Sequence, residues 1–247
     1  MTTSPILRIS TVGAWAAITA LAHYTWLAPV AAPLEVGKTA TVRIGHGHKF
    51  PQSEEAINAS QIDLFAIAPS GAKVKLEAAV DGNAVTAPYA VKEAGLHRIA
   101  FVQDRGVTSR TPRGVKAGGR DKNPDATQAY RTLRTAVAYC GASGIAATGG
   151  KPLGLEIELT GEMSGGAWKL RLMKQGQPAA DAPIEVFLAG ATRAVAAGKT
   201  GPDGRLGYQA PAGAKGPALF FVSLKDPAPA GAKYDSAQYE TSLYVTW

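Results

Sequence analysis

The sequence predicts an all-β protein: two β-sandwich domains joined by a charged, glycine-rich loop. Two observations predict it, and a third bounds how the chain is stabilised. Glycine (28) and proline (16) are frequent and punctuate short apolar runs, a pattern of strands and tight turns rather than of helices. Within the runs, apolar residues recur at every second position, the period of a half-buried strand. And there is one cysteine, Cys140, so no intrachain disulfide can form and burial alone must stabilise the chain. A chain of 247 residues has room for two domains of about 100 residues each after any leader is removed.

Taken in order, the first segment is a leader. Residues 1–22 carry one charge, Arg8, followed by the apolar or small run ISTVGAWAAITALA. That run is too short for a transmembrane helix, which needs about 20 residues, and it suits the apolar region of a secretory signal. Ala20-Leu21-Ala22 is an A-x-A cleavage signal, so a cut there makes His23 the first residue. A cut near Ala31 or Ala32, or an uncleaved anchor, is the competing expectation. With 1–22 removed the formal net charge falls from +7 to +6. An exported chain of that mild basicity is not expected to bind nucleic acid, and the periplasm is the expected location.

The N-terminal domain is expected over 23–150. Tyr24 and Trp26 alternate with His23 and Thr25 and anchor a first strand. Further strands are expected at Thr39–Gly45, Gln61–Ala68, Lys73–Ala79, Ala84–Pro88 and Gly95–Asp104. In the last of these both faces carry apolar residues, the mark of a central strand. Residues 104–125 are charged and glycine-rich and are expected as a solvated excursion. Residues 126–142 suit a helix through Tyr130, Leu133 and Val137, or equally a strand over Thr135–Cys140.

The C-terminal domain, 151–247, alternates more clearly. LGLEIELTG (153–161), AWKLRLMK (167–174), APIEVFLAG (182–190), TRAVAAGKT (192–200), RLGYQAP (205–211), ALFFVSLK (218–225) and YETSLYVTW (239–247) are the expected strands. Pro202 and Gly204 mark the turn at 201–204. Such closely spaced short strands suggest an immunoglobulin-like or transthyretin-like sandwich. No nucleophile elbow, phosphate loop or paired-carboxylate signature appears, and no enzyme activity is expected.

Function is sought in the histidines. In Gly45-His46-Gly47-His48 the residues i and i+2 project from one face of an extended segment, their Cα atoms about 6.5–7 Å apart, so two imidazoles can meet on one ion. His23, once freed, adds an α-amine and Nδ1 that can chelate together. These donors suit nickel, cobalt, copper or zinc, with intrinsic affinity peaking at copper. His23, His46 and His48 are the candidate metal ligands. His97, in AGLHRIAF, reads as a packed histidine before it reads as a fourth ligand. Glu54 and Glu55 could add a carboxylate or form a solvated turn, and Cys140 reads as a small buried hydrophobe.

The order HYTWL (23–27), IGHGHKFPQSEE (44–55), EAGLHRIAF (93–101), TAVAYCG (135–141), LGLEIELTG and GQPAADAPIEVF…KTGPDGRLGYQAP (176–211) resembles a bacterial periplasmic family of unknown function. That family is grouped with the periplasmic component of cobalt/nickel uptake systems and is similar to the nickel-transport accessory subunit. The resemblance implies a two-part β-sandwich that handles divalent transition metals (nickel, cobalt or copper), with His23, His46 and His48 in its histidine-rich N-terminal region. It implies membrane transporter components as partners, since no later segment here spans a bilayer. The second half also resembles transthyretin-like modules of exported proteins. Two other readings stand beside this one: an envelope module binding peptide, glycan or protein, and a copper-brace oxidative enzyme with His23 as its first residue.

Overall fold

A computed structural model describes residues 23–142, 149–188, 191 and 193–246; the leader expected at 1–22 lies outside them. Among the described residues the regular structure is almost wholly strand. In order these are β1 (Tyr24–Pro29), β2 (Thr39–Gly47), β3 (Ile62–Ile67), β4 (Lys73–Lys75), β5 (Ala79–Asp81), β6 (Ala84–Ala90), β7 (Gly95–Thr111), β8 (Gly114–Ala117) and β9 (Gln128–Ala142). The second half supplies β10 (Ile157–Ser164), β11 (Ala167–Lys174), β12 (Gln177–Pro178), β13 (Pro183–Leu188), β14 (Val195–Lys199), β15 (Arg205–Gln209), β16 (Pro217–Pro227) and β17 (Ser236–Thr246). No helix among these residues is long and apolar enough to cross a membrane.

The strands form three sheets. A large central sheet runs β14-β13-β16-β17-β9-β7-β3-β4, with β8 paired to β7. One smaller sheet, β1-β2-β6-β5, and another built on β10, β11, β12 and β15 complete the set. The central strands explain the packing, because alternate residues point to opposite faces. Ile99 and Phe101 of β7, Ala136 and Cys140 of β9 and Leu219 of β16 join Trp26, Val42, Ile44 and Tyr89 in one core. Their neighbours Ala100, Val137, Tyr139, Phe220 and Val222 join Ile157, Leu159, Trp168 and Leu170 in the other. The central sheet is thus buried on both sides, each side completed into a sandwich by a smaller sheet.

Three expectations change on this frame. The charged stretch 104–125 is partly strand: β7 continues to Thr111 and turns back into β8. Its remaining turn is tied down, since the Arg120 guanidinium donates to both Asp235 carboxylate oxygens at 2.8 Å. What joins the two halves of the chain is not this stretch but the parallel ladder of β9 with β17, from Tyr130↔Ser236 to Ala138↔Tyr244. Of residues 126–142, open between helix and strand, 128–142 are β9, apolar on both faces over 136–140 because both faces are covered there. The single strand expected at Lys73–Ala79 is two: β4 edges the central sheet and β5 edges a smaller one, because buried Leu76 lies between them at the crossing.

One consequence positions the site. β1 lies over the β9–β17 junction, where the Ser242 hydroxyl donates to the Thr25 carbonyl at 2.9 Å. Nearby on the same two strands, Arg134 Nε donates to Glu240 Oε2 at 2.7 Å, both side chains largely out of water. The end of the β1–β2 pair therefore rests on a rigid support drawn from both halves of the chain.

Candidate metal centre

The β1–β2 register sets Thr25 opposite His46 and Tyr24 opposite Gly47, which carries His23, the residue before β1, alongside His48. The three imidazoles converge: the His23 ring centroid is 4.9 Å from that of His46 and 4.2 Å from that of His48. The two glycines of Gly-His-Gly-His have separate reasons. A methyl group at Gly45 would overlap the Trp26 ring. At Gly47, with φ +147°, it would come within 2.7 Å of Glu54 Oε2. One glycine lets the core ring pack under the strand; the other lets Glu54 lie over it.

After β2 the chain folds back across the histidines. Buried Phe50 and Ile57 fix the two ends of this return. Between them His46 N–H donates to Ser53 Oγ at 2.9 Å, and Glu54 N–H donates to the His46 carbonyl at 2.9 Å. Glu54 and Glu55 are thereby delivered to the imidazoles. Glu55 Oε1 lies 3.3 Å from His23 Nδ1 and 3.5 Å from His46 Nε2. Glu54 Oε2 accepts the His48 backbone N–H at 2.8 Å and lies 2.9 Å from His48 Nδ1, and these bonds hold the Glu54 carboxyl below its usual range. His23, His46 and Glu55 each present a donor atom within 4.8 Å of the others, and so do His23, His48 and Glu54.

His46 differs from the other two histidines. It is only 5% exposed, and burial, with repulsion from Arg134, His23 and Arg105 added to it, pulls its pKa down to about 3. It is neutral at physiological pH and offers a lone pair with no proton to displace. Its Nδ1 lies 2.8 Å from Thr25 Oγ1. The Tyr24 backbone also hydrogen-bonds the ring, Nε2 faces Glu55, and such partners orient an imidazole as outer partners orient a ligating one.

The donor set fits a transition ion. Bonds of about 2.1 Å in tetrahedral geometry put ligand atoms about 3.4 Å apart, the spacing that Glu55 Oε1 keeps from both imidazoles. That spacing is too long for a good hydrogen bond. His97 is elsewhere and fully occupied: it is 0% exposed, with Nδ1 2.7 Å from the Tyr89 hydroxyl and Nε2 2.9 Å from the Glu93 carbonyl. Cys140 is buried in the central sheet, where burial pushes its thiol up to about 12. Thr25 and Ser53 are participants that the sequence did not single out; only the strand register and the fold-back bring them to His46.

A layered all-β protein bearing a histidine–carboxylate cluster at one sheet end is the class that these features define. Residues 20–226 match a family described as a domain of unknown function, DUF4198. The match covers most of the chain, and the protein belongs to that family. No curated protein matches. Among solved structures, a DUF4785 family protein from Legionella pneumophila is similar at 10% identity and TM-score 0.29, over 80% of this chain and 51% of that one. The present chain thus spans about half of that protein's length. A segment of two fibronectin type III domains from chicken tenascin is similar at 11% identity and TM-score 0.24, over 90% of this chain and 97% of that one.

Proposed function

We propose that this chain is an exported transition-metal-binding protein, a carrier or accessory in nickel or cobalt uptake, whose mature form begins at His23. One observation carries the reading: Glu55 Oε1 keeps the spacing of a coordination edge from both His23 Nδ1 and His46 Nε2, the three residues present donors within 4.8 Å of one another, and His46 is a buried, neutral imidazole. Cleavage after Ala22 would free the His23 amine, which with its own Nδ1 closes a chelate ring on the same ion. The ordinary pKa of an α-amine is about 7.7–8.0, so affinity rises with pH through that range.

Nitrogen and carboxylate donors without thiolate suit nickel, cobalt and copper, copper having the highest intrinsic affinity. Exposed His23 and Glu55 leave the ion reachable, which suits a carrier that passes its cargo to membrane transporter components. Calorimetric titration of the chain beginning at His23 with Ni²⁺ tests this. One ion per chain, lost in His46→Ala, is expected; a flat titration sinks the reading. Equal affinity for a chain carrying one extra alanine before His23 would remove the amine from the site.

A further inference from the structure

His23 belongs to two donor groups, and they are not equivalent. In the first, Glu55 Oε1 stands 3.3 Å from His23 Nδ1 and 3.5 Å from His46 Nε2. An ion can enter there without displacing a good hydrogen bond. In the second, Glu54 Oε2 is already engaged by the backbone N–H and Nδ1 of His48 at 2.8 and 2.9 Å. An ion that takes those two atoms must replace the shared proton and give up that bond. Exposure differs in the same sense: His46 is buried and backed by Thr25, whereas His48 is half-buried and opens to water.

We propose that the outer pair, His48 and Glu54, is an exchange station through which a divalent transition ion enters and leaves, while His46 and Glu55 form its resting station and His23 stays bound to the ion throughout. The inference rests on the metal reading above. Its physical basis is stepwise ligand replacement. In each group one donor atom per residue lies within 4.8 Å of the others, and both groups include His23, so the ion can trade one imidazole for the other while His23 keeps hold of it. The Glu54–His48 hydrogen bond closes behind it and disfavours the outer position at rest. A carrier built this way can hold its ion well and still release it quickly to a receiving site of histidines and carboxylates.

Stopped-flow mixing of Co²⁺ with the chain beginning at His23, followed by its d–d absorption, reads entry; excess EDTA reads exit. In His48→Ala both rates are expected to fall about tenfold, on the scale of changes around a metal site. The Kd should then move no more than about threefold, against a far larger rise in His46→Ala. Glu54→Gln, which keeps the packing over Gly47, should slow both rates in the same direction. Unchanged rates in both variants would overturn the inference while leaving the metal reading intact. So would a faster exit with Kd raised as far as in His46→Ala, the mark of a single site using every donor at once. Failure of the unaltered chain to bind Co²⁺ would overturn both.

Discussion

His46 and His97 are both buried on strands of the same sandwich, and only one of them is a candidate ligand. His97 spends both nitrogens inside the fold, on the Tyr89 hydroxyl and the Glu93 carbonyl. His46 spends one, on Thr25, and keeps the other turned toward an exposed carboxylate. Burial therefore does not separate a structural histidine from a ligand. The spare nitrogen does, together with whatever charge the fold brings to face it. At His97 the fold brings a neutral carbonyl and a phenol; at His46 it brings Glu55 and the histidine before β1.

The comparison breaks first if the two residues exchange their phenotypes. His46→Ala should raise the Kd for Ni²⁺ by more than about 100-fold, beyond the range of an outer-partner loss. His97→Ala should leave that Kd within about twofold and instead cost about 2–4 kcal/mol of stability, since it opens a cavity and strands the Tyr89 hydroxyl. Calorimetry and denaturant unfolding on both variants measure this. Next in size is Gly45→Ala, which drives a methyl into the Trp26 ring and should cost about 1–3 kcal/mol. Gly207→Ala on β15, where a methyl meets nothing within 4 Å, is the matched control and should be near neutral in thermal unfolding.

Thr25→Val keeps the shape beside His46 and removes its hydrogen-bond partner. Affinity should fall about tenfold; no change would mean that the hydroxyl does not orient the ring. The smallest effect concerns pH. His46 has its folded-state pKa pulled to about 3, below the ordinary value near 6.5. As pH falls from about 6.5 toward 3, the unfolded chain takes up a proton at His46 that the folded chain refuses, so stability is lost across that window. Glu55, Arg134, Arg105 and His23 face this ring and shape the same window. His46→Gln should flatten the fall of Tm between pH 6.5 and 4 relative to the unaltered chain.

Much of the fold was legible in alternation alone. β2, β10 and β11 read as strands because apolar residues recur at every second position, and β16 and β17 because short apolar runs are bounded by turn signals. β7 read as central because Ile99 and Phe101 oppose Ala100 and Val102. β9 stayed ambiguous for the same reason: a strand covered on both sides loses its period. The β9–β17 ladder was not legible, because pairing between segments so far apart in sequence leaves no local signal, and the split of β4 from β5 was not, because each is three exposed residues long, too short for alternation to show. At the site, His23, His46 and His48 were visible as residue types at suggestive spacing. Thr25, Ser53 and Arg134 were not, since each acquires its role only through register or sheet packing.

The central claim is that one ion sits between the first residue of the mature chain and His46. A crystal structure of the chain beginning at His23, soaked with Ni²⁺ and read by anomalous scattering at the nickel edge, tests it most directly. The account predicts one anomalous peak bonded to the His23 amine and Nδ1, His46 Nε2 and Glu55, with bonds of about 2.1 Å. A site empty of nickel, or nickel bound away from His46, would contradict it.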